Sequence, residues 1–208
     1  MRRILLSLGV VVALAGCGSG RAVSSDPVVA KARYVSPEPP SLTLITSIRN
    51  DTGNGAHSAL LINASQRVIF DPAGNYFSAQ VPQKGDVLYG VSPPVLQSYL
   101  NFQSSKGFHV VAERVQVSPE VAELALQKSV ANGAAASGLC SDNVSSIVRK
   151  LPGFTSLPVS FFPRAFMRDF GKLPGVVVVT YLNGAVVPNG SPTATAIANG
   201  ARAPLADQ

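Results

Sequence analysis

The chain has few charges, two histidines and two cysteines among its 208 residues, and each shortage removes a class of function. Asp, Glu, Lys and Arg make up 13% of it against 46% apolar residues. That is the balance of a compact folded domain with a quiet surface. Lys and Arg form no stripe with interleaved aromatics, so no nucleic-acid partner is expected. No phosphate-binding Gly-Lys-Ser/Thr loop and no internal repeat is found. Two histidines and one free cysteine are too few ligands for a zinc site, and neither a metal nor an organic cofactor is expected.

The first residues read as a targeting segment. Arg2 and Arg3 precede an apolar stretch, Ile4 to Leu14, that is too short for a membrane span. It ends in Leu14-Ala-Gly-Cys17, which resembles the lipobox of bacterial lipoproteins. The resemblance implies a signal peptide and lipobox over residues 1–17, cleavage before Cys17, and lipid on the sulfur and new amino group of Cys17. Gly18 after it implies release to the outer membrane, facing the periplasm, in a Gram-negative host. Losing Arg2 and Arg3 lowers the formal charge from +6 to +4, a mild basicity suited to anionic lipid or cell wall. A lipid-bearing Cys17 cannot enter a disulfide. Cys140 is then a lone thiol in an oxidising compartment, which favours a reactive role over a space-filling one.

Residues 18–41 are rich in Ser, Pro and Ala and are expected to be a flexible tether. Residues 42–187 form the domain, and residues 188–208 read as a disordered tail. Strands are predicted over 42–49, 58–63, 66–71, 85–90 and 108–117, and a buried one over 176–182. Helices are predicted over 94–105, from Ser118-Pro119 to about Gly133, from Cys140 to Leu151, and over 163–172. Strands dominate the first half and helices mix in later, which predicts an α+β domain with helices packed on an antiparallel sheet.

Val144, Ile147, Val148 and Leu151 recur at helical spacing, and Cys140 falls on the inward edge of that face. A thiol in a first helical turn feels unpaired N–H groups and the positive end of the helix dipole, which favour thiolate. Asp142 is expected to oppose this, so an imidazole is needed, and His57 after the turn 50–55 is the candidate. Asp71 ends the next strand and, in a tight hairpin, comes to the same end of the sheet as His57. A carboxylate there would fix the tautomer and favour the imidazolium. The plainer alternatives stay open: Cys140 fills core, His57 caps a turn, and Asp71 starts an ordinary Asp-Pro-Ala-Gly turn. Asn63 is a second candidate to orient His57. His109, in mid-strand, reads as a surface or structural residue.

Three stretches together carry a family resemblance: Gly55-Ala-His57-Ser-Ala-Leu-Leu-Ile, Arg67-Val-Ile-Phe-Asp71-Pro-Ala-Gly, and Leu139-Cys140-Ser-Asp-Asn-Val-Ser-Ser-Ile-Val. In that order they resemble the circularly permuted papain-like proteins of the NlpC type, including the lecithin:retinol acyltransferase-like group. The resemblance covers residues 42–182. It implies a permuted papain-like fold and catalysis by Cys140 as nucleophile, His57 as base and Asp71 as orienting group. The implied substrate is an amide of a cell-wall peptide or an acyl group of a lipid. The chain departs from the pattern at Leu139, where relatives often carry Asn. That departure leaves the backbone N–H of Cys140 as the nominated oxyanion donor. A non-catalytic envelope lipoprotein with the same fold is the alternative.

Overall fold

The computed structural model describes residues 23–198. The expected signal peptide, the lipobox with Cys17 and the last ten residues of the tail lie outside the described residues. In chain order the elements are α1 (Asp26–Lys31), β1 (Ser41–Arg49), β2 (Gly55–Asn63), β3 (Arg67–Phe70), β4 (Gln83–Lys84), β5 (Val87–Leu88), α2 (Pro93–Gln103) and β6 (Phe108–Gln116). They continue as α3 (Pro119–Asn132), α4 (Cys140–Val148), α5 (Pro163–Phe170), β7 (Val177–Leu182), β8 (Ala185–Val187) and α6 (Pro192–Ala198). The eight strands form one antiparallel sheet in the order β4-β5-β3-β2-β1-β6-β7-β8. The α+β class expected from the sequence holds.

Alternation along the strands sorts side chains into two layers. Leu42 and Leu44 of β1, Leu60 and Ile62 of β2, and Val68 and Phe70 of β3 point to one face. There they pack with Leu126 of α3, Val144 and Ile147 of α4, and Phe166 and Phe170 of α5. The other face carries Ile45, Ala59, Ile69 and Val110, covered by Tyr99 and Leu100 of α2. Because both faces are covered, β1 is buried along nearly its whole length. Each fully buried Leu or Ile contributes about 1.5–3 kcal/mol.

Several boundaries differ from the expectation. β2 begins at Gly55, not Ser58, so His57 lies inside the strand. The region expected as a tether contains α1 and is tied to the domain. Ser24 N–H donates to Gln83 O at 2.8 Å, Arg67 N–H to Tyr34 O at 2.8 Å, and Val117 N–H to Pro40 O at 3.1 Å. Composition does not show these bonds, because the partners are backbone groups of distant residues. The start of the expected disordered tail forms the short helix α6. β7, expected to be buried, exposes Val177 and Val178. It lies near the sheet edge with only the three-residue β8 outside it, so a β-branched run there marks strand propensity rather than burial.

One buried carboxyl stands alone. Glu113 of β6 is 5% exposed, and its Oε2 has no partner among the described residues. Burial raises its pKa from 4.5 to about 7. Below pH 4.5 the group is neutral folded and unfolded. As the pH rises from there through about 7 the unfolded chain ionises first, and stability is lost. Glu113→Gln should therefore change Tm little at pH 4 but raise it by about 2–4 °C at pH 8. Melting curves at the two pH values test this, and an equal shift at both would be evidence against it.

Candidate active site

His57 is the third residue of β2, opposite Ser47 of β1. The β1–β2 ladder slips at this point: Ser47 pairs with His57 but Ile48 pairs with Gly55. Such a bulge kinks a strand and re-aims its side chains. β3 pairs with β2 only from Leu60 to Asn63. The first half of β2 therefore has one free edge, and the start of α4 comes to that edge. Backbone groups of Ser58 and Ser141 lie near enough to the Cys140 thiol to lower its pKa. Gly55 lets α5 close over the strand start, since a Cβ there would lie 2.5 Å from the Arg164 nitrogen and 2.9 Å from Pro163 Cβ.

Asp71 follows β3 directly. Its Oδ1 accepts from His57 Nε2 at 2.6 Å and from the Tyr99 hydroxyl at 2.6 Å, and Asp71 itself is fully buried. The turn reading of Asp71 is also correct, because Gly74 N–H donates to Asp71 O at 3.0 Å. One residue does both. With Nε2 taken by Asp71, Nδ1 is the ring nitrogen left for the Cys140 thiol, with which His57 interacts. The structure thus brings together Cys140, His57 and Asp71, drawn from a helix start, a strand and a turn.

The electrostatics follow from these contacts. Burial pushes the Cys140 pKa up, but the His57 hydrogen bond and charge, with the backbone groups of Ser58 and Ser141, more than reverse it, so it lies below the usual thiol value. Burial likewise pushes His57 down, and Asp71 and then Cys140 overcome this, raising it to about 10. Both shifts favour a thiolate–imidazolium pair. Asp142, expected to oppose the thiolate, is not among the groups that set the Cys140 pKa.

Asn63 is not an orienting group. It sits six residues from His57 at the far end of β2, about 20 Å along the strand, and its Nδ2 donates to Glu38 O and Pro39 O at 2.9 Å each. His109 is structural. It is buried, its Nδ1 donates to Asn50 Oδ1 at 2.7 Å, and burial, with the Arg164 charge, lowers its pKa to about 4.

Sequence reasoning missed the support behind Asp71. Gln103 Nε2 donates to the Tyr99 hydroxyl at 3.1 Å, and Ser47 Oγ donates to Gln103 Oε1 at 2.9 Å. Asp86, in a tight turn at φ 60°, supplies its carbonyl to Asp71 N–H at 2.8 Å. Its Oδ2 accepts from Ala73 and Ala135 N–H at 2.9 Å each. Asp86 thereby ties the Asp71 turn to the loop that leads into Cys140. The i, i+4 spacing of Tyr99 and Gln103 on α2 was the only available signal. It is shared by any helix with a polar stripe.

The N–H of Cys140 is one of those a helix start leaves without an intrahelical partner. The N-cap, Leu139, makes no side-chain cap. Instead Asn143 Nδ2 donates to Leu139 O at 2.8 Å, and Asn132 Nδ2 donates to Asn143 Oδ1 at 2.9 Å. This holds the end of α3 against the start of α4. Comparison of the chain with family models, with curated proteins and with solved structures gives no match.

Proposed function

We propose that this chain is a cysteine-dependent hydrolase or acyltransferase with a permuted papain-like arrangement of the NlpC type, anchored to the bacterial cell envelope by lipid on Cys17. The observation that carries the proposal is the 2.6 Å hydrogen bond from His57 to the buried Asp71 carboxylate, with the Cys140 thiol at the start of α4 close enough to the same ring to shift its charge. Each group has the partner its chemical role needs. The Cys140 thiolate attacks an amide or ester carbonyl, and the tetrahedral oxyanion takes the Cys140 N–H. The His57 imidazolium then protonates the departing amine or alcohol, leaving a thioester on Cys140. Water or an acceptor nucleophile, deprotonated by His57, releases the acyl group and restores the thiolate–imidazolium pair. Asp71 holds the ring, and Tyr99 holds Asp71. The substrate class is an amide of a cell-wall peptide or an acyl group of a lipid. No metal or organic cofactor enters the scheme.

Leu139 in place of Asn favours a second reading, in which the same fold binds or scaffolds without catalysis. A panel of acyl-donating covalent probes with peptide and fatty-acyl leaders separates the two readings. Catalysis predicts a mass increment on Cys140 by one leader class, absent in Cys140→Ala and at least about 100-fold slower in His57→Ala. An unmodified thiol with every leader would move the chain to the binding reading.

A further inference from the structure

The sheet face opposite α4 holds a second site, and register orders its lining. One row across the sheet is polar: Arg67 of β3, Asn63 of β2, Ser41 of β1 and Gln116 of β6. Two residues along lie Leu61, Thr43 and Arg114. Two further residues on, Ile45, Ala112 and Val179 are in register and wholly apolar. Leu96 and Leu100 of α2 wall the apolar end, and the groove measures about 470 Å³. From the polar row to the apolar row is about 13 Å. That volume falls in the range of small-ligand sites.

Three polar atoms at this end have no partner among the described residues. Arg67 is 4% exposed. Its Nε donates to Val91 O at 2.6 Å, its Nη1 to Ser36 Oγ at 3.5 Å, and its guanidinium lies 4.9 Å from the Tyr34 ring centre, but its Nη2 has no partner among the described residues. Arg114 Nη1 meets Glu38 Oε2 at 3.3 Å, while the buried Arg114 Nε has no partner among the described residues. Among the described residues Asn63 Oδ1 is unpaired as well. Glu38 is the single acidic residue in the lining, against two guanidinium groups. A guanidinium N–H without a partner can donate to an oxyanion, and the positive charge favours one.

We infer that this groove binds a single-chain amphiphile, with its carboxylate or phosphate headgroup at Arg67 and Arg114 and its alkyl body over Ile45, Ala112 and Val179. The site is independent of the Cys140 chemistry. Its lining includes none of Cys140, His57 and Asp71.

The test is photo-crosslinking of the full chain in neutral-detergent micelles with a diazirine-bearing dodecanoate. Crosslinks should map to peptides of β1, β6, β7 and α2. Dodecanoate or dodecyl phosphate should displace the probe at least about tenfold better than dodecanol, and whichever is stronger identifies the headgroup. Arg114→Gln should reduce that preference severalfold. Val179→Asp should abolish the crosslink while Cys140 labelling stays unchanged, which shows the fold intact. Should Val179→Asp alter Cys140 labelling, the deciding readout is competition on the unsubstituted chain. Crosslinks scattered over the surface, or dodecanol competing as well as dodecanoate, would overturn the inference.

Discussion

Alkylation of Cys140 at pH 6–7 is expected to run far faster than for a free thiol, and His57→Ala to remove most of that advantage. In a chain beginning at Val23, Cys140 is the sole thiol, so labelling reports on it alone. A thiol of ordinary pKa, about 8.5, is only about 1% ionised at pH 6.5. The His57 imidazolium and the backbone groups of Ser58 and Ser141 lower the Cys140 pKa against the effect of burial. Because the His57 pKa lies near 10, its positive charge persists through the neutral range and fades only as pH rises toward that value. The labelling profile of the parent chain should therefore extend to lower pH than that of a free thiol. His57→Ala should move it upward, with a loss at pH 6.5 of about tenfold to 100-fold. The residual rate measures what the helix start contributes alone. A profile unmoved by His57→Ala would remove the dyad, and a thiol inert until the protein unfolds would mean that Cys140 fills core.

Gly74→Ala is expected to impair Cys140 labelling although it touches neither Cys140 nor His57. A Cβ at residue 74 would lie 1.9 Å from Asp71 Oδ2 and 2.2 Å from its carboxyl carbon. No rotamer relieves contacts that close, so the carboxylate or the turn must move. Asp71 Oδ1 is the atom that holds both His57 and Tyr99. Moving it leaves the imidazole without the partner that raises its pKa, and the thiolate loses its counter-charge in turn. The expected loss at pH 6.5 matches that of Asp71→Ala, about tenfold. Tyr99→Phe, which removes one neutral donor and leaves Asp71 in place, should cost less. Thermal melts of the three variants separate unfolding from local displacement. Equal labelling of Gly74→Ala and the parent chain would show that Asp71 does not control the site.

The elements of this fold were legible because their signals are local. Ser118 and Pro119 start α3, where Val121 N–H bonds to Ser118 Oγ at 3.4 Å. The spacing of Val144, Ile147 and Val148 gave the buried face of α4. Cys140, His57 and Asp71 were legible as well, because a short hairpin fixes which strand ends meet and few polar residues occur at those ends. What the tertiary structure alone decided was how the strands are ordered and what lies behind each site residue. Placing β1 between β2 and β6 sets Ser47 over Gln103 and brings Tyr99 onto Asp71. The shortness of β3 leaves the edge of β2 free for Cys140. Asn63 was the alternative to Asp71 on paper, and strand register separates the two by the length of β2. Local sequence encodes propensity and period, whereas these contacts join residues dozens of positions apart, and only packing the whole sheet determines them.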